Sequence, residues 1–170
     1  TNCDIWRQSA ISKIRKLHPT YLLVAGTDGF ATVDESGNVL TGDVRKAAWI
    51  TGMTDTLQNL KSSSKRLFYI ADYPAAAGDP ITCLKQNKTV GKCINPLAKA
   101  VSMDWLQTEH DVAINNGAIF IDGTEWICQT DPCSPVIGNY LAYRDAGHLS
   151  ATFAVTLYAP LYSAIKKYLV

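Results

Sequence analysis

An aspartate and a histidine three residues apart carry the clearest chemical signal in this 170-residue sequence. Asp145 and His148 belong to the run Tyr-Arg-Asp-Ala-Gly-His at residues 143–148, which precedes an apolar segment with helical spacing. A histidine oriented by a carboxylate is the general base of serine hydrolases and of acyl-transfer enzymes. The same spacing also arises by chance, or where an aspartate caps a helix N-terminus. The pair alone therefore leaves both interpretations open.

The sequence shows no recognisable nucleophile for such a base. A catalytic serine of this kind lies on a sharp turn, yet neither Gly-x-Ser-x-Gly nor Gly-Asp-Ser occurs in the chain. The two Gly-Asp pairs are followed by Val44 and Pro80. Ser150 is close to His148 in sequence, but its position predicts that it caps the next helix.

Hydrophobic periodicity indicates which elements must position these residues. Apolar residues at helical spacing predict helices over residues 5–17, 43–60, 97–112 and 150–168, the last with a bend or restart at Pro160. Short apolar runs predict buried strands over residues 21–25, 67–71 and 118–121, and residues 72–96 are expected to form a loop. This alternation predicts one α/β domain over residues 1–170, a three-layer α/β/α sandwich with a mainly parallel sheet.

In such folds, binding and catalytic groups gather at the carboxyl ends of the strands. Gly26, Thr27 and Asp28 follow the first strand, so their backbone N–H groups could hold an oxyanion. A plain turn would need a glycine here for its own conformational reasons and is slightly favoured. The loop with Asp145 and His148 is expected at the same edge of the sheet.

The other aromatic and histidine residues have simpler interpretations. Trp6, Trp49 and Trp105 fall on apolar helical stripes, which predicts core positions for all three. His18 precedes a proline and is expected to end a helix, and His110 occupies a polar helical position. We expect no catalytic role for either histidine.

Composition indicates a folded globular chain, because 47% of the residues are hydrophobic and 18% are charged. The net charge of +1 gives no electrostatic reason to expect nucleic acid or an anionic membrane surface as a partner. No apolar run approaches the roughly 20 residues that a membrane-spanning helix requires.

Four of the five cysteines form two local pairs that enclose short polar loops, Cys83 with Cys93 and Cys128 with Cys133. Such loops favour disulfides, and disulfides indicate an oxidising compartment. A zinc site is the less favoured alternative, since the chain has no Cys-x-x-Cys. Cys3 is then either a free thiol or the partner of a cysteine outside these residues.

Several of these features together resemble a known family. The chain resembles the SGNH-hydrolase-like domain of bacterial membrane acyltransferases. The resemblance lies in the spacing Cys-x4-Cys at residues 128–133, the run Tyr-Arg-Asp-x-x-His at residues 143–148, the Cys83–Cys93 loop and the opening Cys-x-x-Trp-Arg. That family, the acyltransferase-three family, O-acylates cell-surface glycans. The resemblance spans essentially the whole chain and implies an SGNH or flavodoxin-like fold.

The resemblance implies roles for individual residues. Asp145 and His148 match two members of a Ser-Asp-His triad, whose serine belongs to a Gly-Asp-Ser-His block after the first strand of the family's domain. We therefore expect the first strand and the serine to lie upstream of Thr1, together with a cysteine that pairs with Cys3. The chain alone is then expected to be inactive. Asp28 stands where the general pattern has an oxyanion-hole asparagine, and an ionised carboxylate donates no hydrogen bond.

The resemblance also implies the setting of the reaction. It predicts an extracytoplasmic domain, periplasmic or at the cell surface, attached to a membrane acyltransferase domain in the same polypeptide. An acyl donor and a carbohydrate acceptor are the expected partners, acetyl is the expected acyl group, and no cofactor or metal is expected. Two alternatives remain open, a non-catalytic module that binds a glycan or a partner and a secreted carbohydrate esterase.

Overall fold

The computed structural model describes residues 2–27 and 29–169, so Asp28 lies outside the described residues. The chain forms two compact units. The first consists of Thr1–Asp72 and Trp105–Ile121, and the second of Tyr73–Asp104 and Asp122–Val170. The prediction of one domain over residues 1–170 stays a prediction, and the two units are described separately.

The helices and strands alternate along the first part of the chain. In chain order they are α1 (Asn2–Leu17), β1 (Tyr21–Ala25), α2 (Gly42–Lys61), β2 (Arg66–Ile70), α3 (Pro80–Asn87), α4 (Leu97–Ala100), α5 (Met103–Asn115), β3 (Ile119–Ile121), α6 (Thr124–Ile127), β4 (Val136–Ile137), β5 (Tyr140–Leu141), α7 (Ala151–Thr156) and α8 (Tyr158–Ile165). Single turns of 3-10 helix lie at Val90–Lys92 and Lys166–Tyr168.

The first unit is built on a parallel sheet with strand order β1-β2-β3. Tyr21 pairs with Arg66 at one end of the register, and Ile70 pairs with Ile121 at the other. Parallel strands require crossover connections, and α2 supplies the one between β1 and β2. The predicted α/β class with a parallel sheet is confirmed.

Apolar side chains from the sheet and its helices form the core of this unit. The fully buried members are Leu57, Leu67, Tyr69, Val112, Ala113 and Ala118. Trp49 packs against this cluster and meets Trp105 edge to face, with 5.4 Å between ring centroids. Trp49 therefore packs against the core as its helical spacing predicts, whereas Trp105 is partly buried and packs on Trp49.

The core position predicted for Trp6 is wrong. Its side chain is 72% exposed, and α1 contains no buried residue. The stripe on α1 has the right period, but only its middle is partly buried, at Ala10 and Ile14, while Ile5, Trp6 and Leu17 are exposed. Arg15 instead ties α1 to α2 by donating hydrogen bonds to the backbone and side-chain oxygens of Asn59.

The second unit is richer in loops and contains both predicted disulfides, Cys83–Cys93 and Cys128–Cys133. Cys128 and Cys133 are buried beside Ala100, and a separate apolar cluster contains Ile127, Tyr143 and Phe153. Cys3, in the first unit, has an exposed free thiol. Among residues 2–27 and 29–169, no helix combines the length and the apolar character needed to cross a bilayer.

Three elements of the second unit differ from the sequence-based expectations. Residues 72–96 contain α3, whose N-cap Asp79 accepts a hydrogen bond from the Thr82 N–H and whose first residue is proline. The segment 136–141, whose sequence predicts an irregular apolar connection, is a hairpin of β4 and β5. The C-terminal helix does restart, but it does so after Leu157 and not at Pro160, which lies in the first turn of the restarted helix, where proline is tolerated.

Candidate active site

The Asp145–His148 loop is closed at its base by backbone pairing. Tyr143 pairs with Leu149 in an antiparallel bridge, and the Arg144 N–H donates to the His148 carbonyl at 2.9 Å. Only three residues separate Arg144 from His148, so this hydrogen bond forces a tight turn. The turn holds Asp145 and His148 on one short segment of backbone.

Two tyrosine hydroxyls anchor this loop to an earlier part of the second unit. The Tyr143 hydroxyl donates to the Pro74 carbonyl, and the Tyr73 hydroxyl donates to the Gly147 carbonyl, each at 2.6 Å. Tyr143 is buried, and its burial raises the pKa of its hydroxyl, so the group stays a donor. The backbone between Asp145 and His148 is therefore held from outside the loop.

The histidine and the aspartate are in direct hydrogen-bonding contact. Nδ1 of His148 lies 2.8 Å from Oδ1 and 3.1 Å from Oδ2 of Asp145. An N–H on Nδ1 donates to the carboxylate and leaves Nε2 as the free acceptor. This is the tautomer that a histidine needs in order to take a proton from a nucleophile.

Asp145 is held in its ionised form. The Gly147 N–H donates to Oδ1 at 2.9 Å, and this hydrogen bond, followed by that of His148, lowers the pKa of the carboxyl below its ordinary value. The Arg144 guanidinium, with Nε 3.3 Å from Oδ2, contributes in the same direction. The charge that orients the imidazole therefore persists under mildly acidic conditions.

The imidazole is accessible as well as oriented. The His148 side chain is 64% exposed and that of Asp145 42% exposed. Ser150 does not act as a partner of His148, because its Oγ accepts from the Phe153 N–H and donates to the Leu141 carbonyl. Ser150 is the N-cap of α7, as the sequence predicts.

Gly26 and Thr27, the described residues of the predicted oxyanion element, lie in the first unit. A Cβ on Gly26 would overlap the Tyr69 hydroxyl and come within 2.9 Å of Met53 Cε. Thr27 donates from Oγ1 to Asp72 at 2.5 Å. Close packing at the strand end accounts for the glycine, and an oxyanion role for the segment 26–28 stays a prediction.

A buried polar network lies beside these residues at the end of the sheet. Glu109 is only 4% exposed and accepts from the Tyr69 hydroxyl at 2.8 Å and from the Asp72 N–H at 3.3 Å. Burial and the Glu109 charge raise the pKa of Tyr69, which keeps its hydroxyl protonated. Glu109 therefore joins α5 to β2 and to the residues that follow it.

Sequence reasoning identified the pair but not the residues that hold it. Tyr73 precedes Gly147 by 74 residues, and no local pattern links two positions so far apart. Arg144 was visible only as part of the Tyr-Arg-Asp-x-x-His run. Within residues 2–27 and 29–169, no group of three or more His, Cys, Asp or Glu side chains could hold a metal ion.

Comparison with known proteins identifies the family. Residues 1–162 match the family model described as the SGNH domain fused to AT3 domains. The chain belongs to this SGNH family. A search of curated protein sequences found no match to this chain.

A solved structure has the same fold as this SGNH chain. The structure of the periplasmic domain of Salmonella ser. Paratyphi A lipopolysaccharide acetyltransferase matches with a TM-score of 0.65 and 16% sequence identity. The match covers 94% of this chain and 60% of that one, so this chain spans well under two thirds of its structural relative. At this identity the likeness concerns the fold.

Proposed function

We propose that this chain is the extracytoplasmic domain of a glycan O-acyltransferase that uses a Ser-Asp-His triad. His148 is the general base, Asp145 orients it, and the serine is supplied from a segment before Thr1. The observation that carries the proposal is the Nδ1 contact of His148 with Asp145, which leaves Nε2 of an accessible imidazole as an acceptor. Membership of a family of SGNH domains fused to AT3 domains supports it.

The proposed reaction has two half-reactions. In the first, the serine Oγ attacks the carbonyl carbon of the acyl donor while Nε2 of His148 accepts the hydroxyl proton. The imidazolium then gives this proton to the leaving group of the donor. In the second, a sugar hydroxyl loses its proton to Nε2 and attacks the acyl-serine, and the serine leaves and recovers a proton from the imidazolium.

Asp145 acts through His148 in both half-reactions. Its carboxylate faces the imidazolium that forms each time a proton is taken, and opposite charges at hydrogen-bonding distance stabilise each other. The Gly147 N–H and the Arg144 guanidinium keep the carboxylate ionised and fixed. Asp145 is therefore a positioning residue, and no further base is required.

The proposed setting follows from the cysteines and the family. Two disulfides in a chain of this size are typical of an oxidising compartment, which supports an extracytoplasmic location. We take residues 1–170 to form one domain. A membrane acyltransferase domain in the same polypeptide would hold this domain at the membrane and deliver the acyl group. The acetyltransferase named for the solved relative favours acetyl as that group and a cell-surface sugar as acceptor.

Acyl transfer from 4-nitrophenyl acetate tests the proposal. We compare the 170-residue chain with a polypeptide that also contains any segment encoded before Thr1. Only the longer polypeptide should release nitrophenol and form an acetyl-enzyme detectable by mass spectrometry. Turnover by the 170-residue chain itself, or an acetyl group on a residue other than an upstream serine, would contradict the proposed triad. Added methyl glycosides distinguish transfer, which yields an acetylated sugar, from hydrolysis, which yields acetate.

A further inference from the structure

A groove of about 490 Å³ lies entirely within the second unit. Residues from α6, the β4–β5 hairpin, α7 and the start of α8 line it. Its volume falls within the range of roughly 300–1,000 Å³ that is typical of small-ligand sites. We call it the hairpin groove.

The wall of the hairpin groove is connected to the loop that carries the candidate base. Trp126 and Phe153 line the groove and belong to one packed apolar cluster. Leu149, the residue after His148, packs against the same cluster. The groove and the Asp145–His148 loop therefore share one support within one unit.

The hairpin groove combines aromatic surface with polar side chains that have no internal partner. Trp126 and Tyr140 provide rings of the kind that pack against the C–H faces of a sugar while their polar ends stay free for hydrogen bonds. Within the described residues, the side chains of Glu125, Gln129 and Tyr140 make no hydrogen bond. Together they offer both donors and acceptors, which matches a ligand whose hydroxyls both donate and accept.

The charge of the hairpin groove restricts the class of ligand that it can bind. Of its described lining residues, Glu125 is the one charged side chain, and none is a lysine or an arginine. An anionic ligand such as a nucleotide or a uronic acid would meet a carboxylate without a compensating cation. The groove is therefore suited to a neutral, hydroxyl-rich ring.

We propose that the hairpin groove binds a neutral pyranose unit of the glycan that accepts the acyl group. The identification of this sugar as the acceptor rests on the proposed function, whereas the binding itself does not require catalysis. Aromatic packing supplies affinity for the ring, and Glu125, Gln129 and Tyr140 select for its hydroxyls.

Nuclear magnetic resonance titration of the isotope-labelled chain tests this inference. The probes are the methyl glycosides of glucose, galactose, mannose and rhamnose, with methyl glucuronide as the anionic comparison. At least one neutral glycoside should cause saturable shifts of the amides of Trp126, Gly138 and Thr156. The glucuronide should bind about fivefold more weakly or not at all, because it places a second carboxylate near Glu125.

Two variants and a matched control locate the binding. Gln129→Ala and Tyr140→Ala should each weaken the neutral glycoside about fivefold, the effect of losing one hydrogen bond or ring contact. Tyr158→Ala removes another exposed tyrosine that does not line the groove, and it should leave the affinity unchanged. Shifts absent from the groove, an affinity of both groove variants equal to that of the native chain, or binding of the glucuronide as tight as that of the neutral glycoside would overturn the inference.

The same titration on His148→Ala separates this inference from the proposed function. That variant should bind the glycoside normally, since His148 does not line the groove. Groove binding together with no acyl transfer by any longer polypeptide would refute the proposed function and leave a glycan-binding unit. Acyl transfer to sugars without groove binding would refute the inference alone.

Discussion

Two histidine–aspartate pairs with similar hydrogen-bond distances occur among the residues that the structure describes, one in each unit. In α5 of the first unit, Nδ1 of His110 lies 3.0 Å from Oδ1 of Asp111. In the loop of the second unit, the corresponding distance between His148 and Asp145 is 2.8 Å. All four side chains are between 41% and 64% exposed. The Nδ1–Oδ1 distance and the exposure of the two carboxylates therefore do not distinguish the pairs.

The surroundings of the two carboxylates do distinguish them. Asp111 is held by side chains of its own helix, first His110 and then Gln107, which donates to Oδ1 at 2.8 Å. Asp145 is held first by the backbone N–H of Gly147, within a loop that tyrosine hydroxyls anchor. The Asp111 arrangement needs only helical neighbours, whereas the Asp145 arrangement needs a specific fold of the backbone.

The two imidazoles also have different neighbours. The ring of His110 meets Phe120 edge to face at 5.1 Å, so it takes part in packing at the sheet. The His148 side chain is 64% exposed, and its ring makes no such contact with an aromatic ring among the residues that the structure describes. A hydrogen bond between histidine and aspartate is therefore common to both pairs, and a preorganised carboxylate beside an accessible imidazole belongs to the second alone.

The largest expected difference concerns acyl transfer by a polypeptide that contains the nucleophile. His148→Ala should lower kcat/KM at least about a thousandfold, because the general base is lost. His110→Ala removes the other paired histidine and should leave kcat/KM within about twofold. Steady-state kinetics with 4-nitrophenyl acetate provides the measurement. Equal losses in the two variants would eliminate the distinction between the pairs.

The next largest effect is the loss of stability when the Cys128–Cys133 disulfide of the second unit is removed. Replacing both Cys128 and Cys133 by alanine should lower the free energy of unfolding by about 2 kcal/mol, because a short loop loses its cross-link. Cys3→Ala removes an exposed free thiol and should change it by less than about 0.5 kcal/mol. Guanidinium denaturation measures both values.

Mass spectrometry provides a control for this comparison. The native chain should gain four hydrogen atoms on reduction, two for each disulfide, and should carry one alkylatable thiol beforehand. Two or more reactive thiols in the unreduced chain would contradict the disulfide assignment.

A smaller effect tests whether the loop must be anchored. Tyr73→Phe removes the hydroxyl that donates to the Gly147 carbonyl and keeps the aromatic ring. The loss of about 1 kcal/mol should lower kcat about fivefold with little change in KM, because the base is less well positioned. Tyr162→Phe, at a partly exposed position on α8, is the matched control. A change in KM alone would indicate a role in binding instead.

The smallest effect is on the two aspartate pKa values. Both are below the ordinary value, so each carboxylate stabilises the fold above its unfolded pKa and loses this contribution as the pH falls through the lower folded value. His110→Ala should raise the pKa of Asp111 more than His148→Ala raises that of Asp145, because the Gly147 N–H remains. Carbon-13 titration of the carboxyl groups measures both shifts, and the reverse order would show that the backbone does not hold Asp145.

Some features of the protein follow from sequence patterns of short range. Alternating apolar runs at strand and helix spacing indicate the parallel α/β unit, since periodicity reflects which face each element buries. The cysteine pairs enclose short loops, so their partners are near in sequence. The spacing of Asp145 and His148 likewise falls within one turn of the chain.

Other sequence-based expectations are wrong because they depend on contacts between elements that are distant in the chain. Trp6 lies on a stripe with the period of a core helix, but its side chain is exposed. Periodicity shows which face of a helix could be buried, and it does not show whether another element packs against that face. Periodicity alone predicts a loop where α3 lies, although Asp79 and Pro80 mark the start of this helix. An N-cap and a proline are weak evidence for a helix when the surrounding segment, residues 72–96, is polar and contains glycine.

The sequence by itself determined the α/β class, the disulfide pairs and the presence of an aspartate within reach of a histidine. The tertiary structure decided which histidine–aspartate pair is preorganised, because the hydrogen bonds from Tyr73 and Tyr143 span 74 and 69 residues of chain. It likewise assembled the hairpin groove from four separate elements. Contacts of such long range depend on how the backbone folds, and no local spacing in the chain encodes them.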